Sequence, residues 1–167
     1  MDINQRLASF FDLFLGLPVH PLVVHGVVVL VPLYAVWVAY RVVKNRSISR
    51  SGIWIGFFLV LISVVTRLSG HALASRIGYD SIEASGHLRV GDLYPIAMIS
   101  FYIFVILHNK SLQSRRRGKW WLAPLVKGVV VVGSVGLLFV TLWAGHSGAT
   151  SHWQGVKDYT EFGDFTP

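Results

Sequence analysis

An all-helical integral membrane fold, a bundle of four transmembrane helices, is what this sequence predicts, and three observations support the prediction. Hydrophobic residues make up 53% of the 167-residue chain and charged residues only 14%, whereas a soluble domain carries roughly a quarter charged residues. Long apolar segments alternate with polar loops, and most basic residues fall in two of those loops. So few charges cannot cover the surface of a soluble protein, and the expected surroundings are therefore a lipid bilayer.

The apolar segments are long enough, or nearly long enough, to cross a bilayer as helices, which takes roughly 20 residues each. Their uncharged cores are residues 19–40, 53–66, 93–107 and 128–145. The second core reaches full length if its helix continues to Gly70, and the third does so if its helix begins at His87. Trp120 and Trp121 precede the fourth core, and tryptophan is typical of the membrane interface. A backbone inside lipid must satisfy its own hydrogen bonds, so all four segments are predicted to be helices.

Residues 16–155 are therefore predicted to form the four-helix domain, with one short segment on each side of it. Within residues 1–15, apolar side chains recur at helical spacing between polar ones. This pattern is typical of an amphipathic helix that lies on the membrane surface, and a partly ordered tail is the alternative. Residues 156–167 are acidic and aromatic and have no spanning pattern, which predicts a tail outside the membrane.

The distribution of charge predicts the orientation of the bundle. The loops after the first span and before the fourth are rich in basic residues, namely Arg41, Lys44, Arg46, Arg50, Lys110, Arg115, Arg116, Arg117, Lys119 and Lys127. In this arrangement every acidic residue lies on the other side of the membrane. Because basic loops stay in the cytoplasm, we expect a multi-pass protein of the bacterial plasma membrane with both termini extracytoplasmic. Topology accounts for the net charge of +7, and no nucleic-acid partner is expected.

Histidines gather at the predicted extracytoplasmic end, where every helix contributes at least one. These are His20, His25, His71, His87, His146 and His152, whereas His108 lies at the cytoplasmic end. The chain has no cysteine, which excludes disulfides, thiolate-ligated clusters and covalent haem attachment. Imidazole is the commonest metal ligand in proteins, and helical bundles build cofactor sites from side chains on facing helices. The pattern therefore indicates a haem or metal site.

His25 is the first candidate ligand in that site. It follows His20 by five residues, which places it roughly 7.5 Å deeper along a helix axis. His20 is therefore expected at the water boundary, either as a metal ligand or as a group that orients one. His87 and His146 are the candidates to oppose His25, and the sequence does not choose between them.

A single non-covalent b-type haem, or another metal ion, is the cofactor that these histidines predict. The cytoplasmic half offers only His108 and so cannot supply a second histidine pair. Arg67 and Arg89 lie at the same predicted level as the histidine cluster. We expect these two arginines to pair with haem propionates, or with Asp92 if nothing is bound.

Two functions of other classes stay open. The histidines can serve only as hydrogen-bonding groups in a cofactor-free structural or accessory subunit of a larger membrane complex. The run Gly145-His146-Ser147-Gly148 resembles the nucleophile motif of rhomboid intramembrane serine proteases, in which the serine begins a helix. A serine nucleophile also needs a histidine base and an oxyanion hole. The simpler expectation is that this Gly-Ser-Gly run ends the fourth helix.

Three blocks of the sequence resemble a known family. They are "GLPVHPLVVHGVVVLVPL" at residues 16–33, "HLRVGDLYP" at residues 87–95 and "AGHSGATSHW" at residues 144–153. Together they resemble the bacterial membrane-protein family catalogued as domain of unknown function 2231, most closely its actinobacterial members. The resemblance covers roughly residues 16–155, and the blocks carry the histidines that match the family's histidine positions, which are His20, His25, His87 and His146.

The resemblance implies a small four-helix membrane protein without an assigned activity. Some relatives are joined to Rieske or cytochrome c domains, which implies electron-transfer surroundings and favours haem over other metals. The leading hypothesis is thus a haem- or metal-binding membrane protein that serves electron transfer near a respiratory complex. An electron carrier or accessory subunit is expected rather than a stand-alone enzyme.

Overall fold

Four long helices make up nearly all of the described chain. The computed structural model describes residues 13–14, 17–77, 86–115 and 122–161. In chain order the elements are β1 (Leu13–Phe14), β2 (Leu17–Pro18), α1 (Val19–Val43), α2 (Arg50–Ile77), α3 (His87–Arg115) and α4 (Leu122–Glu161). Each helix contains a stretch long and apolar enough to cross a membrane, which confirms the predicted fold class.

Each predicted apolar core lies within one helix, and the helices extend beyond the cores, so that α2 ends at Ile77 rather than at Gly70. α3 begins at His87 as predicted, but α4 continues through Gly145 and Gly148 to Glu161. The expectation that the Gly-Ser-Gly run ends the fourth helix was therefore wrong. A glycine ends a helix by adopting positive φ, and among the described glycines only Gly86 does so.

The predicted N-terminal interfacial helix falls mostly outside the described residues. Residues 1–12 are not among them, and Leu13–Phe14 form β1, which pairs antiparallel with Leu17–Pro18 in a two-stranded ribbon. At the other end of the chain, residues 162–167 of the predicted tail are also outside the described part. The preceding residues 156–161 continue α4.

The helices form a ring in which each packs mainly against its two neighbours. α1 contacts α2 and α4, and α3 also contacts α2 and α4. The interior contains apolar side chains such as Val31 and Met98, whereas large apolar side chains such as Leu142 are 72% exposed. An outer surface of this kind is favourable in lipid, so the membrane environment explains the distribution.

Two glycines of α2 allow α1 to approach closely. Tyr34 donates a hydrogen bond from its hydroxyl to the carbonyl oxygen of Gly52 over 3.1 Å. A Cβ atom built on Gly56 would collide with the Tyr34 hydroxyl, and one built on Gly52 would collide with the Trp37 ring. Small residues at such crossings let membrane helices pack through van der Waals contact. The α1–α2 interface therefore requires glycine at both positions.

We predict that Gly56→Val destabilises the bundle by about 1–3 kcal/mol, because the added side chain overpacks the interface around Tyr34. The measurement is the free energy of unfolding in detergent micelles. The matched control is Gly136→Ala, since a Cβ at Gly136 meets nothing within 4 Å. Equal stability of the two variants would contradict the described packing.

Candidate functional site

Two imidazole rings meet at one end of the bundle. α1 and α3 both begin at this end, so His20 in the first turn of α1 and His87 at the start of α3 lie at the same level. Their ring centroids are 6.2 Å apart with an interplanar angle of 76°. Both side chains are half-buried. We call this end of the bundle the histidine end, and the opposite end, with the loop 44–49, the basic end.

The His20 ring is oriented by α2. Its Nδ1 atom lies 3.1 Å from the Thr66 carbonyl oxygen and 3.3 Å from the Ser69 hydroxyl. Ser69 itself donates to the Thr66 carbonyl. A carbonyl oxygen can only accept, so Nδ1 of His20 carries the proton and Nε2 carries the lone pair. A ring whose Nδ1–H donates to a carbonyl while Nε2 can bind a metal is the usual arrangement of ligating histidines.

The His87 ring is oriented by α4. Its Nδ1 atom lies 3.1 Å from the Ser147 hydroxyl. Ser147 is buried and donates its own proton to the Ala144 carbonyl oxygen over 3.1 Å. Nδ1 of His87 and the Ser147 hydroxyl thus form a hydrogen bond between α3 and α4. Each ring of the pair is held by a hydrogen bond to a neighbouring helix.

Glycine makes room for each ring on the helix that orients it. A Cβ atom built on Gly70 of α2 would lie 3.1 Å from Cε1 of His20. A Cβ atom built on Gly148 of α4 would lie 3.0 Å from Cε1 of His87. Both distances are shorter than ordinary carbon–carbon contacts, so any side chain at either position would displace a ring.

A charged group lies beside the histidine pair, between α2 and α3. The Asp92 carboxylate accepts from Arg67 Nε over 2.8 Å and pairs with His71 Nε2 over 2.7 Å. All three side chains are about 40% exposed. Arg67 therefore has the carboxylate partner that was expected when no haem is bound, whereas Arg89 is exposed.

The structure does not bring His25 or His146 into the pair. His25 is exposed and its Nδ1 bonds to the Pro21 carbonyl oxygen of its own helix. Five helical residues turn a side chain roughly 140° around the axis, so His25 faces away when His20 faces inward. His146 is also exposed, beside buried Ser147. Within the described parts of the chain, no three histidine or acidic side chains lie close enough to hold a metal ion.

The hydrogen-bond partners of the pair were missed by the sequence analysis. Thr66, Ser69 and Gly70 form one small, polar turn of α2 at the level of His20, and this composition is the signal that was available. The sequence suggested Ser147 as a nucleophile or as part of a run that ends the helix, and not as a partner of His87. It does approach an imidazole, but it lies inside α4, where the backbone N–H groups are used in helical hydrogen bonds. Its own backbone therefore offers no oxyanion hole.

Comparison with known families gives one result. The family model described as a predicted membrane protein, DUF2231, matches residues 16–158 of the chain. The matched segment contains all four helical spans and both histidines of the pair. No curated protein and no solved structure matches the chain.

We predict that His20→Ala lowers the free energy of unfolding by about 1–3 kcal/mol, since it removes the hydrogen bonds between α1 and α2 and leaves a space where the ring packed. His25→Ala is the matched control on the same helix and should change it by less than about 0.5 kcal/mol. Equilibrium unfolding in micelles measures both variants. A larger decrease in the free energy of unfolding for His25→Ala than for His20→Ala would contradict the described positions of the two rings.

Proposed function

We propose a function for this chain, which belongs to the DUF2231 family of predicted membrane proteins. His20 and His87 bind a b-type haem or another metal ion, and the protein serves electron transfer. The observation that carries the proposal is the pair of oriented imidazoles on two different helices, 6.2 Å apart. When bound, a haem would supply one-electron chemistry. The residues of this chain supply the ligands and their orientation.

The separation of the two rings supports this assignment. Metal–imidazole bonds are about 2.0–2.1 Å long, so two imidazoles that share one metal ion must lie close together. The centroids of the His20 and His87 rings are 6.2 Å apart, which would allow both rings to reach one ion. Nδ1 of His20 donates to the Thr66 carbonyl oxygen of α2, so His20 would bind a metal through Nε2.

The other residues predicted from the sequence would act as alternative ligands or as partners of the haem propionates. His25, with His87 or His146, is the alternative ligand set. Arg67 and Arg89 are the candidate partners of haem propionates, and Arg67 would then exchange its bond to Asp92 for a propionate. The exchange would replace one guanidinium–carboxylate contact by another of the same kind.

The charge distribution supports a location for the site. Lys44, Arg46 and Arg50 lie at the basic end, and basic loops remain in the cytoplasm. The histidine end would then lie at the extracytoplasmic face of a bacterial plasma membrane, with both termini on that side. The sequence resemblance to chains joined with Rieske or cytochrome c domains favours a respiratory or other redox complex as the partner.

A cofactor-free accessory subunit is the second candidate function, and the tight packing of the pair favours it. Gly70 and Gly148 lie against the two rings, and Ser69 and Ser147 hydrogen bond to them. These contacts stabilise the helix ends without any cofactor. In this case the protein would be colourless and metal-free and would be purified together with a larger membrane complex.

We predict that the purified protein shows a Soret absorption band and that His20→Ala and His87→Ala abolish it, because each removes one of the two proposed ligands. Absorption spectra and elemental analysis of the same samples measure haem and other metals together. His25→Ala and His146→Ala are the matched controls and should retain the band.

Each other outcome has a defined meaning. Loss of the band in His25→Ala, with retention in His20→Ala, would replace the proposed ligand pair by the alternative set. A wild-type protein without haem or stoichiometric metal, prepared from membranes with haem available, would contradict the cofactor proposal and favour the accessory subunit.

A further inference from the structure

The loop at the basic end is a rigid support for several cations. The loop 44–49 is closed by backbone hydrogen bonds from Asn45 N to Val42 O, over 3.0 Å, and from Arg46 N to Arg41 O, over 2.9 Å. Asn109 of α3 fixes it further, since its amide bonds to both the N–H and the carbonyl of Ile48. These hydrogen bonds hold the loop backbone, and with it the Cα positions of the side chains that project from the loop.

Among the described residues, the cations on this loop and at the start of α2 have no carboxylate partner. Lys44, Arg46 and Arg50 are exposed, and among the described residues the only ion pairs are those of Asp92 at the histidine end. Lys127 of α4 adds its charge next to the loop, where its Nζ donates to the Val43 carbonyl oxygen over 3.0 Å. The surface is thus strongly and uniformly positive.

An apolar groove begins directly beside these cations. It lies between α1 and α2, has a volume of about 460 Å³, and reaches from Ser49 and Ser51 past Leu33 to Ile62. Ser49 caps α2 by accepting the N–H of Gly52 over 3.2 Å. A helix N-terminus carries partial positive charge, so the polar mouth of the groove also favours an anion.

Exposed aromatic side chains place this end at the depth of lipid headgroups. Tyr40 at the end of α1 is 54% exposed, and Trp54 near the start of α2 is 56% exposed. Tyrosine and tryptophan with this exposure concentrate at membrane–water interfaces. The cations therefore meet the headgroup layer, and the groove below them meets the acyl chains.

We propose that the basic end binds one anionic phospholipid. Its phosphate lies against Lys44, Arg46 and Arg50 at the N-terminus of α2, and one acyl chain occupies the groove between α1 and α2. Such a lipid joins an anionic group covalently to an apolar chain, so its phosphate suits the cations and its acyl chain suits the groove. This inference is independent of the cofactor at the histidine end.

The test is a titration of the full-length protein in neutral detergent micelles with phosphatidylglycerol or phosphatidylcholine, followed by native mass spectrometry. We expect phosphatidylglycerol to bind at least tenfold more tightly. The double variant Lys44→Gln/Arg46→Gln should lower that affinity about thirtyfold, or about fivefold for each charge removed. Neither side chain makes a hydrogen bond or ion pair with the described residues, so the lipid-free variant should keep its thermal stability, which would confirm that it folds.

Two further variants locate the headgroup and the chain. Arg89→Gln is the matched control, because it removes one exposed guanidinium at the histidine end, and it should leave the affinity for phosphatidylglycerol unchanged. Leu33→Trp fills the groove. It should weaken the binding of long-chain phosphatidylglycerol and leave the binding of dihexanoyl phosphatidylglycerol unchanged.

Three results would overturn the proposal. Equal affinity for the two lipids would show that charge does not select the occupant. An equal loss in Arg89→Gln would show that any surface cation has the same effect. Thermal stabilisation by inorganic phosphate as large as that by phosphatidylglycerol would show that the site takes a free anion rather than a lipid.

Discussion

The bundle depends on how polar side chains inside a membrane find partners on other helices. Lipid is as apolar as leucine, so burial of apolar surface does not drive membrane helices together as it does in water. Close packing and interhelical hydrogen bonds take that role. At the histidine end these hydrogen bonds connect His20 with α2, Asp92 with Arg67 of α2, and His87 with Ser147 of α4.

These bonds join all four helices at one level. One turn of α2 serves twice, since Thr66 and Ser69 hold the imidazole from α1 while Arg67 and His71 hold the carboxylate from α3. The contact between His20 and His87 then joins α1 to α3 across the centre of the four-helix bundle. The same arrangement that stabilises the helix ends also holds the two imidazoles in place through hydrogen bonds to neighbouring helices.

The helices and the level of the histidines were predictable, because hydropathy fixes which residues cross the membrane and residue number fixes depth along a helix. The rotation of each helix was not predictable. In α1, Val31 is fully buried and Val29 is 56% exposed, so one residue type covers both faces and no amphipathic pattern marks the interior. Depth along the helix therefore favours His25 over His20 as the ligand, although packing turns His20 inward. The continuation of α4 was missed for a related reason, since Gly148 makes room for a ring instead of ending the helix.

A double-mutant cycle between His20 and His87 tests the central claim most directly. The free energies of unfolding of His20→Ala, His87→Ala and the double variant give the coupling between the two rings. Residues in contact are expected to couple by at least about 0.5 kcal/mol, and the same cycle between His25 and His87 should give no coupling beyond experimental error. A cycle in which His25 couples to His87 and His20 does not would contradict the arrangement of the histidine end.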